Sequence, residues 1–127
     1  MSTEPAVDVQ FIEHQGYRHA IHLCETSEGT GDLVLLHGAG VASEATWYSM
    51  LPEFKSFRRI ICPDLRGMGR SHSLDFVDRS VTVDEVVEDV LAILTHYSIN
   101  QCQMVGYSFG GLIALLVNAA RRELVCD

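Results

Sequence analysis

The stretch MVGYSFGG, residues 104–111, joins an apolar run typical of a strand to an apolar run typical of a helix. It has the form Gly-x-Ser-x-Gly, with Ser108 at its centre. In a sharp turn between a strand and a helix, Gly106 and Gly110 have no Cβ and so allow the two backbone segments to approach closely. The serine then lies at a strained apex. The N–H of Phe109 then lies at the helix N-terminus, where it can face a developing negative charge. This pattern is typical of a serine nucleophile.

Two further glycine-containing loops precede this turn, and each follows an apolar run. The first is LLHGAG, residues 35–40, in which Gly38 and Gly40 leave room for backbone N–H groups to point at an anion. The second is PDLRGMGRS, residues 63–71, which we interpret as a structural loop anchored by Asp64 and its two arginines. The first loop is weak evidence of a site when taken alone.

The rest of the chain predicts strands that alternate with helices after an N-terminal hairpin. The predicted elements are a hairpin over 7–13 and 17–24 that turns at Gln15-Gly16, strands over 33–36, 58–62 and 101–105, a short helix around 47–54, a loop over 66–80, and helices over 83–97 and about 110–122. The helix over 83–97 has the clearest signal, because Thr82 and Glu85 form a capping box ahead of apolar residues at helical spacing. We expect its carboxylates to occupy the first turn and the solvent side: Asp84, Glu85, Glu88 and Asp89. The fold class is therefore α/β, with a mostly parallel sheet and flanking helices.

Together the three motifs resemble the α/β-hydrolase family, which carries an HG-x-G loop, a D-x-R-G-x-G-x-S loop and a serine turn in this order. The resemblance covers nearly the whole chain and implies a single domain over 1–127, the N-terminal portion of that fold. It implies that Ser108 is the nucleophile, and that Ala39 supplies a second oxyanion N–H beside that of Phe109. Relatives that attack epoxides or carbon–halogen bonds carry aspartate at the nucleophile position. The serine here implies acyl chemistry on an ester-like carbonyl through an acyl-enzyme.

The resemblance also implies parts that these 127 residues lack, namely a later acid, a later histidine and a lid. No histidine follows Ser108. A serine hydroxyl without a base is a poor nucleophile, and loss of the base alone costs about 10⁶ in turnover in a comparable enzyme. We therefore expect negligible esterase activity from this chain alone. His37 is the one histidine expected near Ser108, and we interpret it as holding the glycine loop through a backbone hydrogen bond.

The strand over 101–105 should have another parallel strand on its far side in the family's sheet order. Without that strand, an apolar edge is left with unpaired N–H and C=O groups. We therefore expect a marginally stable chain that associates with itself or with a complementary C-terminal fragment.

Composition excludes several classes of partner. The net charge is −8 with a single lysine, which disfavours nucleic acid because phosphate contacts need clustered cations. The longest apolar run, 112–117, is too short to cross a bilayer, and the polar N-terminus is not a signal peptide.

The cysteines lack metal-like spacing and are read as reduced core thiols of a cytoplasmic protein: Cys24, Cys62, Cys102 and Cys126. Neither a cofactor nor a metal is expected, since His19 and His22 lie three apart on a strand and face opposite ways.

Two alternatives remain open at this point. A dinucleotide-binding fold would use Gly38 and Gly40 after a buried strand and Asp64 for the ribose, although Ser43 stands where a third glycine belongs. A truncated or degenerate hydrolase domain would instead serve as a binding module. A third possibility is that a second polypeptide supplies the acid and the histidine.

Overall fold

The structure is a computed structural model that describes residues 6–77 and 79–125. Within these ranges it contains six strands, three α-helices and one 3₁₀ helix: β1 (Asp8–His14), β2 (Tyr17–Glu25), β3 (Asp32–Leu36), α1 (Ser43–Trp47), the 3₁₀ helix Tyr48–Phe54, β4 (Arg59–Pro63), β5 (His72–Ser73), α2 (Val83–His96), β6 (Gln103–Gly106) and α3 (Phe109–Ala120). The predicted α/β class is confirmed. In the same ranges no helix has the length and apolar character needed to cross a bilayer.

The six strands form one mixed sheet in the order β1-β2-β4-β3-β6, with β5 paired to the start of β2. Strand β3 lies between β4 and β6 and is parallel to both, whereas the pairs β1/β2, β2/β4 and β2/β5 are antiparallel. Parallel strands end at the same edge of a sheet. The loops that follow β3, β4 and β6 therefore gather at one edge, and these are the three motif loops of the sequence.

The N-terminal hairpin turns where its sequence predicts. Gln15 has φ of 53° and Gly16 has φ of 76°, the left-handed pair that a two-residue hairpin turn needs. His14 and Tyr17 form the last register pair before the turn. Because β2 is antiparallel to β4, this turn lies at the same edge of the sheet as the motif loops.

Most elements lie within two residues of their predicted bounds, and the differences with a structural consequence concern the first helix, β4 and the loop that follows it. Helix α1 begins at Ser43, earlier than predicted, and the 3₁₀ helix that follows it contains Pro52. Strand β4 includes Pro63, which pairs with Ile21 at the end of the strand, where the missing proline N–H costs least. The loop over 66–80 also contains the two-residue strand β5.

The core lies on both faces of the sheet. One cluster joins alternate residues of the sheet to α2 and α3, and includes Val34, Ile61, Val90 and Ile113. The other lies under α1 and the 3₁₀ helix and includes Trp47, which is 3% exposed. As expected of core thiols, Cys24, Cys62 and Cys102 are buried, while Cys126 lies outside the described residues.

Helix α2 confirms the capping box and corrects one prediction about its polar face. The Thr82 hydroxyl accepts from the N–H of Glu85, and the Glu85 carboxylate accepts from the N–H of Thr82. The expectation that Asp89 lies on the solvent side was wrong, because its side chain is buried at 2% exposure. Asp89 follows Val86 by three positions and precedes Ile93 by four, so helical spacing places it on the packed face.

Candidate active site at the serine turn

Ser108 occupies a strained turn between β6 and α3. Its backbone has φ of 54° and ψ of −114°, a left-handed φ that costs a non-glycine residue about 1–3 kcal/mol. The residue caps the N-terminus of α3, and its side chain is exposed. The predicted strand, sharp turn and helix are therefore present, with the serine at the apex.

The two glycines of the motif allow the strand and the helix to cross closely. A Cβ added to Gly106 would lie 2.3 Å from the carbonyl oxygen of Gly110. A Cβ added to Gly110 would lie 2.1 Å from the carbonyl oxygen of Leu36, at the end of β3. Neither contact is sterically possible, so both positions require glycine. The close crossing that they allow holds the serine turn next to the end of β3.

The glycine loop, defined here as residues 37–42, lies against the serine turn. A Cβ added to Gly38 would lie 3.2 Å from Cδ1 of Tyr107 and 3.5 Å from Cβ of Ser108. Ala39 and Gly40 form the exposed tip of the loop, and Gly40 has φ of 78°. The structure thus brings Gly38 into contact range of the serine and places Ala39 next to it along the chain.

At the start of α3, the N–H groups that follow Phe109 are already hydrogen-bonded, whereas the N–H of Phe109 has no acceptor within the helix. The N–H groups of Gly110, Gly111 and Leu112 are bonded to the carbonyls of Tyr107 and Ser108 at 2.9–3.2 Å. Phe109 is the first residue of the helix, so its N–H has no acceptor inside the helix. The helix dipole adds a partial positive charge at the same point. An anion formed on a group bonded to Ser108 would be favoured there.

His37 does not act as a base for Ser108. It is fully buried, and the N–H of Leu65 donates to its Nε2 at 2.9 Å. We assign the proton to Nδ1, which donates to the carbonyl of Gly38 at 2.7 Å. Burial lowers the pKa of His37, so the ring is neutral and both nitrogens are engaged. The interpretation that this histidine holds the glycine loop is confirmed.

The remaining histidines have other partners. His22 contacts Asp64 and Tyr48, His14 and His19 lie near Asp89, His72 bonds the carbonyl of Ser73, and His96 contacts the ring of Tyr97. Among residues 6–77 and 79–125, no histidine is hydrogen-bonded to Ser108. The serine therefore has no base within the part of the chain that the structure describes.

One cluster, where β1, β2 and α2 meet, has ligand atoms that a metal could use. Nitrogen atoms of His14 and His19 and a carboxylate oxygen of Asp89 lie within 4.8 Å of one another. However, Arg66 donates to both oxygens of Asp89 at 2.7 Å, and its third nitrogen reaches Glu85 at 2.9 Å. A cation would have to displace this guanidinium. We interpret the cluster as a buried ion pair, and the absence of a metal from the mechanism stays a prediction.

Asp64 has a structural role that conflicts with the dinucleotide alternative. Its carboxylate is buried and accepts from the N–H of Ser43 at 2.9 Å, from the N–H of Arg70 at 3.0 Å and from Nε2 of His22 at 2.9 Å. Burial by itself raises the pKa of Asp64, but these hydrogen bonds outweigh burial and hold the pKa below its usual value. The carboxylate is therefore ionised but not available to a ribose. Moreover, α1 has only five residues, too short for a dinucleotide-binding helix.

The sequence did not reveal the partners of Asp64. His22 is 42 residues away, and Tyr48, whose hydroxyl lies 2.6 Å from Nδ1 of His22, lies on a different element. The alternation of β2 placed His22 on the face opposite His19, and that was the available signal. Nothing local in the sequence pairs it with Tyr48.

This combination of a serine turn, an adjoining glycine loop and parallel central strands is that of an α/β hydrolase. The model of the Alpha/beta hydrolase family matches residues 33–127. The chain belongs to this family.

Individual relatives agree with this assignment. A 2-hydroxymuconate semialdehyde hydrolase of Pseudomonas sp. strain CF600 is 36% identical over 95 residues, which cover 73% of this chain and 33% of that protein. A strigolactone esterase of Arabidopsis thaliana is 36% identical over 100 residues, covering 76% of this chain and 37% of that protein. The crystal structure of a hydrolase from Pseudomonas aeruginosa has the same fold, with a TM-score of 0.82 at 23% identity over 93% of this chain and 43% of that one. The chain spans about a third of the length of the curated relatives it matches.

Proposed function

We propose that this chain carries the nucleophile portion of a serine hydrolase that acts on an ester-like carbonyl of a small molecule. Ser108 is the nucleophile, and the N–H groups of Ala39 and Phe109 form the oxyanion hole. The observation that carries this proposal is the exposed serine, held with a left-handed φ at the N-terminus of α3 and against Gly38. A buried structural serine would not need that strained geometry.

The proposed reaction proceeds through an acyl-enzyme. The Ser108 oxygen attacks the carbonyl carbon, a C–O bond forms, and the carbonyl π electrons move onto oxygen. The resulting oxyanion accepts hydrogen bonds from the two N–H groups, each worth about 10²–10³ in turnover in a comparable serine enzyme. The tetrahedral intermediate then expels the alcohol, and water later releases the acid. None of these steps calls for a cofactor or a metal.

The serine proton needs an acceptor, and we infer that it lies outside residues 1–127. The histidines of this chain all precede Ser108, and those of the family's mechanism follow it in the family's order. We propose that a histidine and an acid are supplied by a complementary C-terminal portion, in the same or another polypeptide. The name of the strigolactone esterase, one of the longer relatives, supports ester-like chemistry for the assembled site.

A second candidate function is a binding module, favoured by the apolar surface around β6 and α3. Exposed side chains there include Val105, Tyr107, Leu112 and Leu115, of which Leu115 is 68% exposed. The outer edge of β6 begins to pair with a parallel segment, since the N–H of Cys102 donates to the carbonyl of Leu124 at 2.7 Å and Cys102 bridges Val125. We propose that this surface takes up a complementary fragment or a second copy of the chain.

Association through this surface is expected to be measurable. On size-exclusion chromatography with light scattering, the apparent mass should rise above 14.1 kDa as the concentration increases. Leu115→Glu should weaken association, because it places a charge in the apolar patch. The matched control Met50→Glu, an exposed apolar residue of the 3₁₀ helix, should leave association unchanged. A monodisperse monomer at all concentrations, with cooperative unfolding, would contradict this proposal.

The nucleophile is tested by covalent labelling with a fluorophosphonate. The Ser108 oxygen attacks phosphorus, the P–O bond forms as the P–F bond breaks, fluoride leaves, and the hydroxyl proton passes to solvent. We expect slow labelling without a burst, and peptide mass spectrometry should place the adduct on Ser108. Ser108→Ala should abolish the adduct. Ser98→Ala should not, although Ser98 is also exposed with a φ of 56°, because it follows a helix instead of preceding one. An adduct elsewhere would refute the assignment.

A further inference from the structure

We propose that Asp64 is the positioning residue of the glycine loop, and that it fixes the N–H of Ala39 relative to Ser108 through its hydrogen bond to Ser43. The His22–Tyr48 pair holds Asp64 in that role. The consequence for reactivity rests on the proposed function of Ser108, whereas the consequence for loop order does not.

Both ends of the glycine loop are tied to the chain that follows β4. At the start, His37 accepts from the N–H of Leu65 and donates to Gly38, which fixes the entry to the loop. Just past the end, the N–H of Ser43 donates to Asp64 at 2.9 Å, and the Ser43 hydroxyl donates to the carbonyl of Pro63 at 2.9 Å. The loop is thus anchored to one neighbouring segment at both ends.

The middle of the loop depends on these anchors. Ala39, Gly40 and Val41 are exposed, so packing does not hold them. An oxyanion N–H must be held within a few tenths of an ångström of its working position. The anchors at His37 and Ser43 therefore bound the segment that carries the Ala39 N–H, and Asp64 is the side chain that accepts from the N–H of Ser43.

Asp64 is itself held on every side. Its Oδ2 accepts from Nε2 of His22 and from the N–H of Arg70, and Nδ1 of His22 faces the Tyr48 hydroxyl at 2.6 Å. We assign the Tyr48 O–H as donor to Nδ1, because Nε2 must carry the proton that it gives to the carboxylate. The turn over 67–70 also closes on the carboxylate, since a Cβ added to Gly69 would lie 2.5 Å from Oδ2. One buried carboxylate therefore joins β2, the 3₁₀ helix, the start of α1 and the loop after β4.

An amide cannot replace this carboxylate without leaving a conflict. In Asp64→Asn, the side chain has one acceptor oxygen and one NH₂ donor group. If the oxygen faces Ser43, the NH₂ group faces the N–H of Arg70 and Nε2 of His22. If the amide is reversed, the NH₂ group faces the N–H of Ser43. The first orientation loses the groups that hold residue 64 in place, and the second breaks the Ser43 anchor itself, while side-chain volume is unchanged in both.

The test is amide hydrogen exchange by NMR on the full chain, comparing wild type with Asp64→Asn. We expect the amide of Ser43 to exchange at least about 10-fold faster in the variant, and those of Val34 and Ile61 in the core strands to stay within about 2-fold. Asp75→Asn is the matched control, because it removes the same charge from an exposed ion pair with Arg79. Tyr48→Phe keeps the carboxylate, so it should also raise the exchange rate of the Ser43 amide, but by a smaller factor than Asp64→Asn.

Reactivity is measured on the same variants as the rate of fluorophosphonate labelling at Ser108. Asp64→Asn should slow labelling about 10-fold or more, since a misplaced oxyanion donor stabilises the transition state less, and Asp75→Asn should not. Unchanged exchange at Ser43, or equal loosening throughout the core, overturns the proposal. A loosened loop with unchanged labelling overturns it as well.

If wild type is not labelled at Ser108, the proposed function fails, while hydrogen exchange still decides the role of Asp64 in the loop. If Asp64→Asn does not fold, Tyr48→Phe decides by the same two readouts.

Discussion

Ester turnover by the 127-residue chain alone is expected to be about 10⁶-fold slower than turnover by a complete serine hydrolase. The reason is that, among residues 6–77 and 79–125, no histidine is hydrogen-bonded to Ser108 to accept its proton. His37, the one histidine expected from the sequence to lie near Ser108, donates to Gly38 and accepts from Leu65. An oxyanion hole without a base leaves only about 10³–10⁴ over the reaction in water. The measurement is hydrolysis of p-nitrophenyl acetate, with Ser108→Ala as the blank.

Free imidazole provides a control for this explanation. If the missing base is the cause, added imidazole should raise turnover by the wild-type chain by more than the background reaction of imidazole itself with the ester. The increment should vanish in Ser108→Ala and persist in Ser98→Ala. Turnover by the chain alone at about 1 s⁻¹ or faster, the range of ordinary enzymes, would show that a base is already present.

The second large effect concerns the crossing of α3 over β3. Gly110→Ala is expected to lower the free energy of unfolding by about 3 kcal/mol or more, because the new methyl group would lie 2.1 Å from the carbonyl oxygen of Leu36. A backbone oxygen cannot swing away as a flexible side chain can, so α3 must move off the sheet. Urea unfolding monitored by circular dichroism measures the loss.

The neighbouring glycine is the matched control. A Cβ at Gly111 would lie 3.4 Å from the carbonyl oxygen of Gly106, which is ordinary contact. Gly111→Ala should therefore be neutral or stabilise the chain by up to about 1 kcal/mol, because alanine favours a helix more than glycine does. Equal effects of the two substitutions would mean that α3 does not cross β3 as closely as described.

Sequence motifs that depend on a few neighbouring residues predicted the local backbone structure well. The Gln15-Gly16 turn, the Thr82 capping box and the turn at Ser108 are each set by backbone conformation within four or five residues. For the same reason, the role of His37 as a support of its own loop could be predicted from its position beside Gly38. The assignment of Ala39 as an oxyanion donor came from family resemblance and stays a proposal.

Contacts between distant segments were beyond sequence reasoning. Asp89 was assigned to solvent because it is charged, but Arg66 compensates its charge across 23 residues and allows it to be buried. His22 and Asp64 are similarly joined across 42 residues by the antiparallel register of β2 and β4. Such pairs depend on how strands are ordered in the sheet. That order becomes known only once the chain has been folded.

The central claim is that the oxygen of Ser108 is aimed between the N–H groups of Ala39 and Phe109. The most direct measurement is the ¹H–¹⁵N spectrum before and after phosphonylation, because the adduct places a polar phosphoryl oxygen, which carries a partial negative charge, where the oxyanion would form. The account predicts that the adduct is on Ser108 and that the Ala39 and Phe109 amide protons move downfield more than those of Gly29 or Gly67. An adduct on Ser108 that leaves both amides unchanged would contradict it.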